Sequence, residues 1–466
     1  LRFVHDPKDT VRLHLCLQRS TLPFDYRTLP AHDPANPPPS KATRHKSRHL
    51  SRLANIPILG RSKFVARMQQ AAHQVAPAGR FPTPKEFLDL LQWLGPYIKD
   101  FFRRKIAYPL YPEGQSGIFR LDTPQSGPLK IAVAADWATG TLESETVAKN
   151  MLAKPAPACT VHLGDVYTMG ETGEIEENCL GKNSGQYIGV EWPRGTHGSF
   201  ALMGNHEMYS GGHAYVETFL PTMGLSGADE KPTACQLGSY FCLVTEGWIV
   251  LGLDTAYHSG GVPMLAGVPL ISRIPWLNVD SRFNAAMLAW LQRTFASLKQ
   301  SGDDRKPVVI LTHQQPFSRF ETAFPKPVRQ LQQLGLFEGR ELVWLCGHEH
   351  RFTVYNRQVV EGLTVYPRCI GHAGMPVSVS KLKKPTPEIA FYDPRTHPID
   401  QQDTKTLVGY NGHAVLLFDG AKLTVQYRDI CGNNLLLSET FAPQQDGTLA
   451  HAVKAPEHTP LRSGML

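Results

Sequence analysis

From residue 129 onward, short apolar runs end again and again at a glycine or a polar residue. LKIAVAA (129–135), CTVHL (159–163), SFALM (199–203), PVVILT (307–312) and ELVWLC (341–346) are brief, apolar and followed by polar motifs, as buried strands are. The same reading predicts strands at 239–245, 248–254, 364–370, 414–418 and 422–428. At 281–299 the period changes: Phe283, Met287, Leu291 and Phe295 recur every fourth position, which predicts a helix. Strands mixed with helical pattern, followed by strands almost alone, predict a layered α/β sandwich. Residues 375–408, rich in Lys, Pro, Asp and Thr, read as a long surface excursion.

The region before 127 has a different texture. Pro-rich loops lead into EFLDLLQWLGPYIKDFFRRKI (86–106), where Phe87, Leu90, Leu91, Leu94, Ile98 and Phe101 fall near helical spacing and Pro96 interrupts them. Such a helix either packs on the main domain or lies on a membrane with Arg103, Arg104 and Lys105 at its edge. The chain therefore divides into a basic, partly helical extension (1–126), a main domain (127–440) and a tail (441–466).

Charge adds a question about partners. The net charge of +7 is modest, but ten Lys or Arg residues and no acid lie between Pro34 and Lys85. Residues 34–85 are either a footprint for nucleic acid or an anionic membrane surface, or a solvated arm that steers substrate. No apolar run reaches the roughly 18 to 20 residues of a membrane span. No apolar leader opens the given residues, which favours a cytoplasmic location. The eight cysteines contain no CxxC pair, against a zinc ribbon or thioredoxin motif. Most sit in apolar runs and read as buried free thiols, Cys179 least so; the even count leaves disulfides open.

The chemistry is carried by the residues at the strand ends. ADW (135–137), GDVY (164–167), GNHE (204–207), His313 and GHEH (347–350) each leave the carboxyl end of a predicted strand, the edge where open α/β sheets build their sites. A glycine step after one strand is usually only a turn. A series delivering Asp, Asp, Asn-His, His and His-x-His to one edge is a donor set suited to Mn, Fe or Zn. Two such ions can hold a hydroxide in line with phosphorus and neutralise phosphate charge, which is most of what phosphoryl transfer asks of a protein.

In this order the motifs resemble those of the calcineurin-like metallophosphoesterase superfamily, over about residues 129–375. The resemblance implies a layered α/β/β/α sandwich of two mixed sheets. It also implies Asp165 as the bridging ligand, Asp136 and His350 on the first of two divalent or mixed-valence ions, and Asn205, His313 and His348 on the second. His206 is similar to the family's catalytic His, which contacts the phosphate and protonates the leaving oxygen, with Glu207 orienting its ring. The departure is Ala138, which stands where the family has a His ligand. Purple acid phosphatases also lack that His and use a Tyr three residues after the bridging Asp. Here that position is Thr168, and Tyr167 comes one residue early, as a further candidate ligand. His372 and His213 are candidate substrate contacts, while His162 reads as a packed core residue.

The implied activity is hydrolysis of phosphate mono- or diesters by a metal-bridging hydroxide with His206 assisting. The alternatives are a scaffold that has lost its chemistry, and a nuclease or lipid phosphodiesterase that uses the basic N-terminal region.

Overall fold

A computed structural model describes residues 105–167, 169–183, 189–226, 232–259, 280–379, 386–398, 405 and 407–455. The basic stretch 34–85, nearly all of the helix expected at 86–106, and Thr168 lie outside the described residues.

Two nine-stranded sheets face each other. In chain order the first contains β1 (Ile118–Arg120), β7 (Phe241–Val244), β8 (Ile249–Gly252), β9 (Val308–Thr312), β10 (Glu341–Cys346), β11 (Phe352–Tyr355), β12 (Gln358–Val360), β13 (Leu363–Ile370) and β14 (Ile389–Tyr392). Its spatial order is β1-β7-β8-β9-β10-β13-β11-β14, with β12 on β13. The second contains β2 (Leu129–Ala134), β3 (Cys159–His162), β4 (Gly198–Ala201), β5 (Gly224–Ser226), β6 (Pro232–Cys235), β17 (Gly412–Asp419), β18 (Lys422–Asp429), β19 (Leu435–Pro443) and β20 (Leu449–Lys454). Its order is β20-β19-β18-β17-β2-β3-β4-β5-β6. A small separate pair joins β15 (His397–Pro398) to β16 (Leu407–Val408).

The central strands β8-β9-β10-β13 and β2-β3-β4 run parallel. Parallel strands are covered on both faces, which is why their sequences read as continuous apolar runs. Alternation shows instead in where each residue goes. Ile131 and Val133 face inward to meet Val309, Leu311, Val343 and Leu345 of the opposite sheet. Ala132 and Ala134 face outward, in one apolar cluster with Val147 and Met151 of α1 (Leu142–Met151) and Ile175 of α2 (Thr172–Asn178). A short helix, α3 (Asn205–Tyr209), comes after β4. On the far side Met287, Leu291 and Phe295 of α4 (Ala285–Gln300) pack with Ile310 and Trp344. The architecture is the α/β/β/α sandwich of two mixed sheets. Among the described residues no helix is long and apolar enough to cross a membrane.

Several expectations are corrected. The division at 126 separates residues that fold together, because β1 pairs with β7 and Tyr108 stacks near Tyr240 at 5.9 Å between centroids. The division at 440 cuts through β19, and β20 closes the second sheet, with Phe441 and Leu449 in the apolar layer between the sheets. The excursion at 375–408 contains buried β14, which pairs with β11; its four residues are hidden in the sequence by polar neighbours. Cys179 is fully buried at the end of α2, and the seven cysteines among the described residues are free thiols.

A charged pair is buried between the sheets. Arg368 donates from Nε and Nη2 to both carboxylate oxygens of Glu439, at 2.7 and 2.6 Å, and Tyr427 and His451 bond the same carboxylate. Burial alone would raise the Glu439 carboxyl; the Arg368 guanidinium holds it below the usual range instead. Glu439→Gln strands a buried guanidinium and is expected to destabilise the fold by about 3–5 kcal/mol, read from the urea midpoint. With the folded carboxyl depressed, the pair's contribution is complete above the unfolded pKa and is lost as pH falls through the folded one.

Candidate metal centre

Asp136 comes after β2, Asp165 after β3 and Asn205 after β4, all in the second sheet, while His313 comes after β9 and His348 and His350 after β10 in the first. The sequence assigns these residues to one sheet edge; the structure draws them from matching ends of two sheets. Asp136 (φ 56°), Asp165 (φ 72°) and His348 (φ 66°) adopt the left-handed conformation, shared among described non-glycine residues only by Glu361 and Asn433. That conformation costs L-residues roughly 1–2 kcal/mol each, and its clustering marks a place held in shape by its surroundings. The motif glycines allow close approach. A Cβ at Gly204 would lie 2.1 Å from Asp165 Oδ1, and one at Gly347 would lie 2.7 Å from Asp136 Oδ2.

Two groups of side chains are arranged to hold a cation. In the first, ligand atoms of Asp136, Asp165 and His350 lie within 4.8 Å of one another. The Tyr167 hydroxyl stands among them, 2.8 Å from Asp136 Oδ1, 3.0 Å from Asp165 Oδ2 and 2.8 Å from His350 Nε2. A phenol has one proton and cannot donate fully to both carboxylates, whereas a cation among the four groups can be met by all of them. The one-residue offset does not turn Tyr167 away, because the backbone fixes its direction. Its N–H donates to Ala138 O at 3.0 Å, beside the bridge between Ala138 and Val166, and Asn178 Nδ2 donates to its carbonyl at 2.9 Å.

The second group is Asp165, His313 and His348. His313 Nδ1 lies 2.9 Å from Leu163 O, so it carries the proton and donates, leaving Nε2 facing the site. That nitrogen is 3.3 Å from Asp165 Oδ1 and 3.0 Å from Asn205 Oδ1. Burial would lower the His313 imidazole, but Asp165 pushes it up to about 10. Burial would raise Asp165, yet His313 and His206 hold it well below the usual carboxylate range. Burial and the neighbouring carboxylates keep the Tyr167 phenol well above its ordinary value, a direction that a bound cation would oppose.

Residues 129–352, which contain every member of both groups, match the family model of calcineurin-like phosphoesterases. Over these residues, nearly half of its length, the chain is similar to calcineurin-like phosphoesterases. That family's general chemistry is hydrolysis of phosphate esters with divalent metal ions. PhoD is a structural neighbour at 12% identity and TM-score 0.41, covering 74% of each chain. GAP50, the anchor in the inner membrane complex of Plasmodium, has 10% identity and TM-score 0.39 over 69% of this chain and 91% of its own. A dimetal phosphatase from Danio rerio has 12% identity and TM-score 0.36 over 66% and 97%. Likenesses this distant bear on neither substrate nor partner. A comparison with curated proteins found no match.

His206 sits at the mouth of the centre. Its backbone N–H donates to Asp165 Oδ1 at 3.0 Å, and its ring lies between Tyr167 and Tyr209, at 4.4 and 4.9 Å between centroids. Its side chain is 13% exposed, against 1% for Asp165. Glu207 Oε2 accepts the backbone N–H groups of Asp165 and Gly204, at 3.2 and 3.1 Å, and so ties two motif loops together. Burial and Asp165 raise its carboxyl to about 8.

His372 is turned into the core, 1% exposed and stacked on Phe352 at 5.3 Å, so it does not reach substrate. His213 pairs with Glu217 one helical turn on, at 3.2 Å. His162 is the expected packed residue, ringed by Trp137, Trp192 and Phe219, and its Nδ1 accepts the Gly164 N–H at 3.2 Å. The loop after His313 also embraces the GHEH turn: Ser318 donates to Glu349 at 2.7 Å, and Phe320 lies under Arg351 at 3.8 Å. Only the three phenylalanines crowded into 317–324 could have signalled that role.

Proposed function

We propose that this chain hydrolyses phosphate mono- or diesters at two metal ions. The first is held by Asp136, Asp165, His350 and Tyr167, and the second by Asp165, Asn205, His313 and His348. The observation that carries the reading is Asp165, which belongs to both groups and turns Oδ2 toward Tyr167 and Oδ1 toward His313. Bound at these positions, Mn, Fe or Zn ions supply Lewis acidity and an activated water. The protein's own part is to fix that geometry and to manage a proton. His206, partly exposed beside Asp165, contacts the phosphate and delivers a proton to the leaving oxygen.

Tyr167 in place of the missing His at 138 makes the first position similar to that of purple acid phosphatases and suited to ferric iron. Metal analysis together with a visible absorption spectrum tests the assignment. Two ions per chain and a phenolate-to-iron band are expected after iron loading. Tyr167→Phe should abolish the band and weaken the first position at least about tenfold, while the second still fills. A band of unchanged intensity in that variant would remove Tyr167 from the ligand set.

A further inference from the structure

Asn205 presents a problem that its histidine and carboxylate neighbours do not. A side-chain amide has two ends of equal shape, and only the oxygen end can face a cation. His313 Nε2, 3.0 Å from Asn205 Oδ1, does not settle the choice, because in the form that binds metal it carries a lone pair and no proton. On the other side of the amide, Nδ2 donates to the Tyr209 hydroxyl at 2.8 Å. The two residues lie four apart on α3, on one face of the helix. Tyr209 is 5% exposed, so its hydroxyl is held in place, and its ring packs on His206.

We infer that Tyr209 is a positioning residue that sets the orientation of the Asn205 amide, and through it the affinity of the second metal position; this rests on the two-metal reading above. The phenol oxygen accepts from the amide nitrogen, and with that contact made it is Oδ1 that faces His313 and the centre. Its ring meanwhile supports His206, linking the second position to the residue that handles the proton.

The test is calorimetric titration of the chelator-treated full chain with Mn²⁺. Tyr209→Phe keeps the ring and loses only the hydroxyl. It should weaken one of two binding events by about 10- to 100-fold, leave the other unchanged, and recover wild-type turnover at saturating Mn²⁺. A carboxylate in place of the amide has two oxygens and needs no orienting. In the Asn205→Asp background the same change should therefore cost no more than about threefold, a non-additivity that general loosening of α3 would not produce. Tyr215→Phe is the control. It removes a buried hydroxyl from the next helical segment, where Tyr215 donates to Ala201 O at 3.0 Å, and should leave both events unchanged. Equal losses in both Asn205 backgrounds, or undiminished affinity in Tyr209→Phe, overturn the inference while the two-metal reading stands. Fewer than two ions bound by the wild-type chain overturns both.

Discussion

Asp165→Asn is expected to lower turnover of an aryl phosphate by at least about 10³-fold and to release metal from both positions, not one. The size reflects sharing. Partners that merely support a ligand cost 10- to 100-fold when removed, and Asp165 is itself a ligand in two groups at once. The fold should survive. Asn tolerates the left-handed φ of 72° better than most residues and matches Asp in shape, so the contact with Gly204 is kept. Circular dichroism and metal content together decide the matter. A well-folded variant that still carries two ions and hydrolyses at the wild-type rate would remove Asp165 from the bridging role.

His206→Ala is expected to lower kcat by about 10²- to 10⁴-fold while metal content stays unchanged. The backbone N–H that bonds Asp165 survives the substitution, and the imidazole is a member of neither metal-holding group. The loss should depend on the leaving group. An alkyl phosphate, whose alkoxide needs a proton, should suffer most; a nitrophenyl ester, whose phenolate departs unaided, should suffer least. Equal losses for both esters would assign His206 to phosphate binding alone.

Much of the centre was legible in the sequence because its parts are local: a strand, a glycine, then a ligand. Each motif announces both its backbone requirement and its chemistry within four residues. Tyr167 was harder. The alternation of side chains along a strand argues that a one-residue offset reverses direction, but the chain has left β3 by residue 163, and pairing with Ala138 sets the orientation instead. At Glu207 the sequence shows only adjacency to His206, while the turn that starts α3 directs the carboxylate back to backbone N–H groups, as capping geometry favours. Long-range pairing was the least legible level. Strands β14, β19 and β20 carry Pro, Gly or acidic neighbours that imitate loops, and only their partners across the sheets reveal them.

The left-handed backbone at Asp136, Asp165 and His348 bears on how quickly the protein can exchange its ions. Hydrogen bonds of the chain itself support that conformation, Asp136 N–H donating to Gly164 O at 3.1 Å and His348 N–H to Asp136 Oδ2 at 2.9 Å, so the coordination sphere is expected to stand assembled before an ion arrives. Loading should then proceed at the pace of ion dehydration, without a slow rearrangement of the chain. The metal-free protein is also expected to keep its sandwich and, on heating, to melt as one cooperative unit.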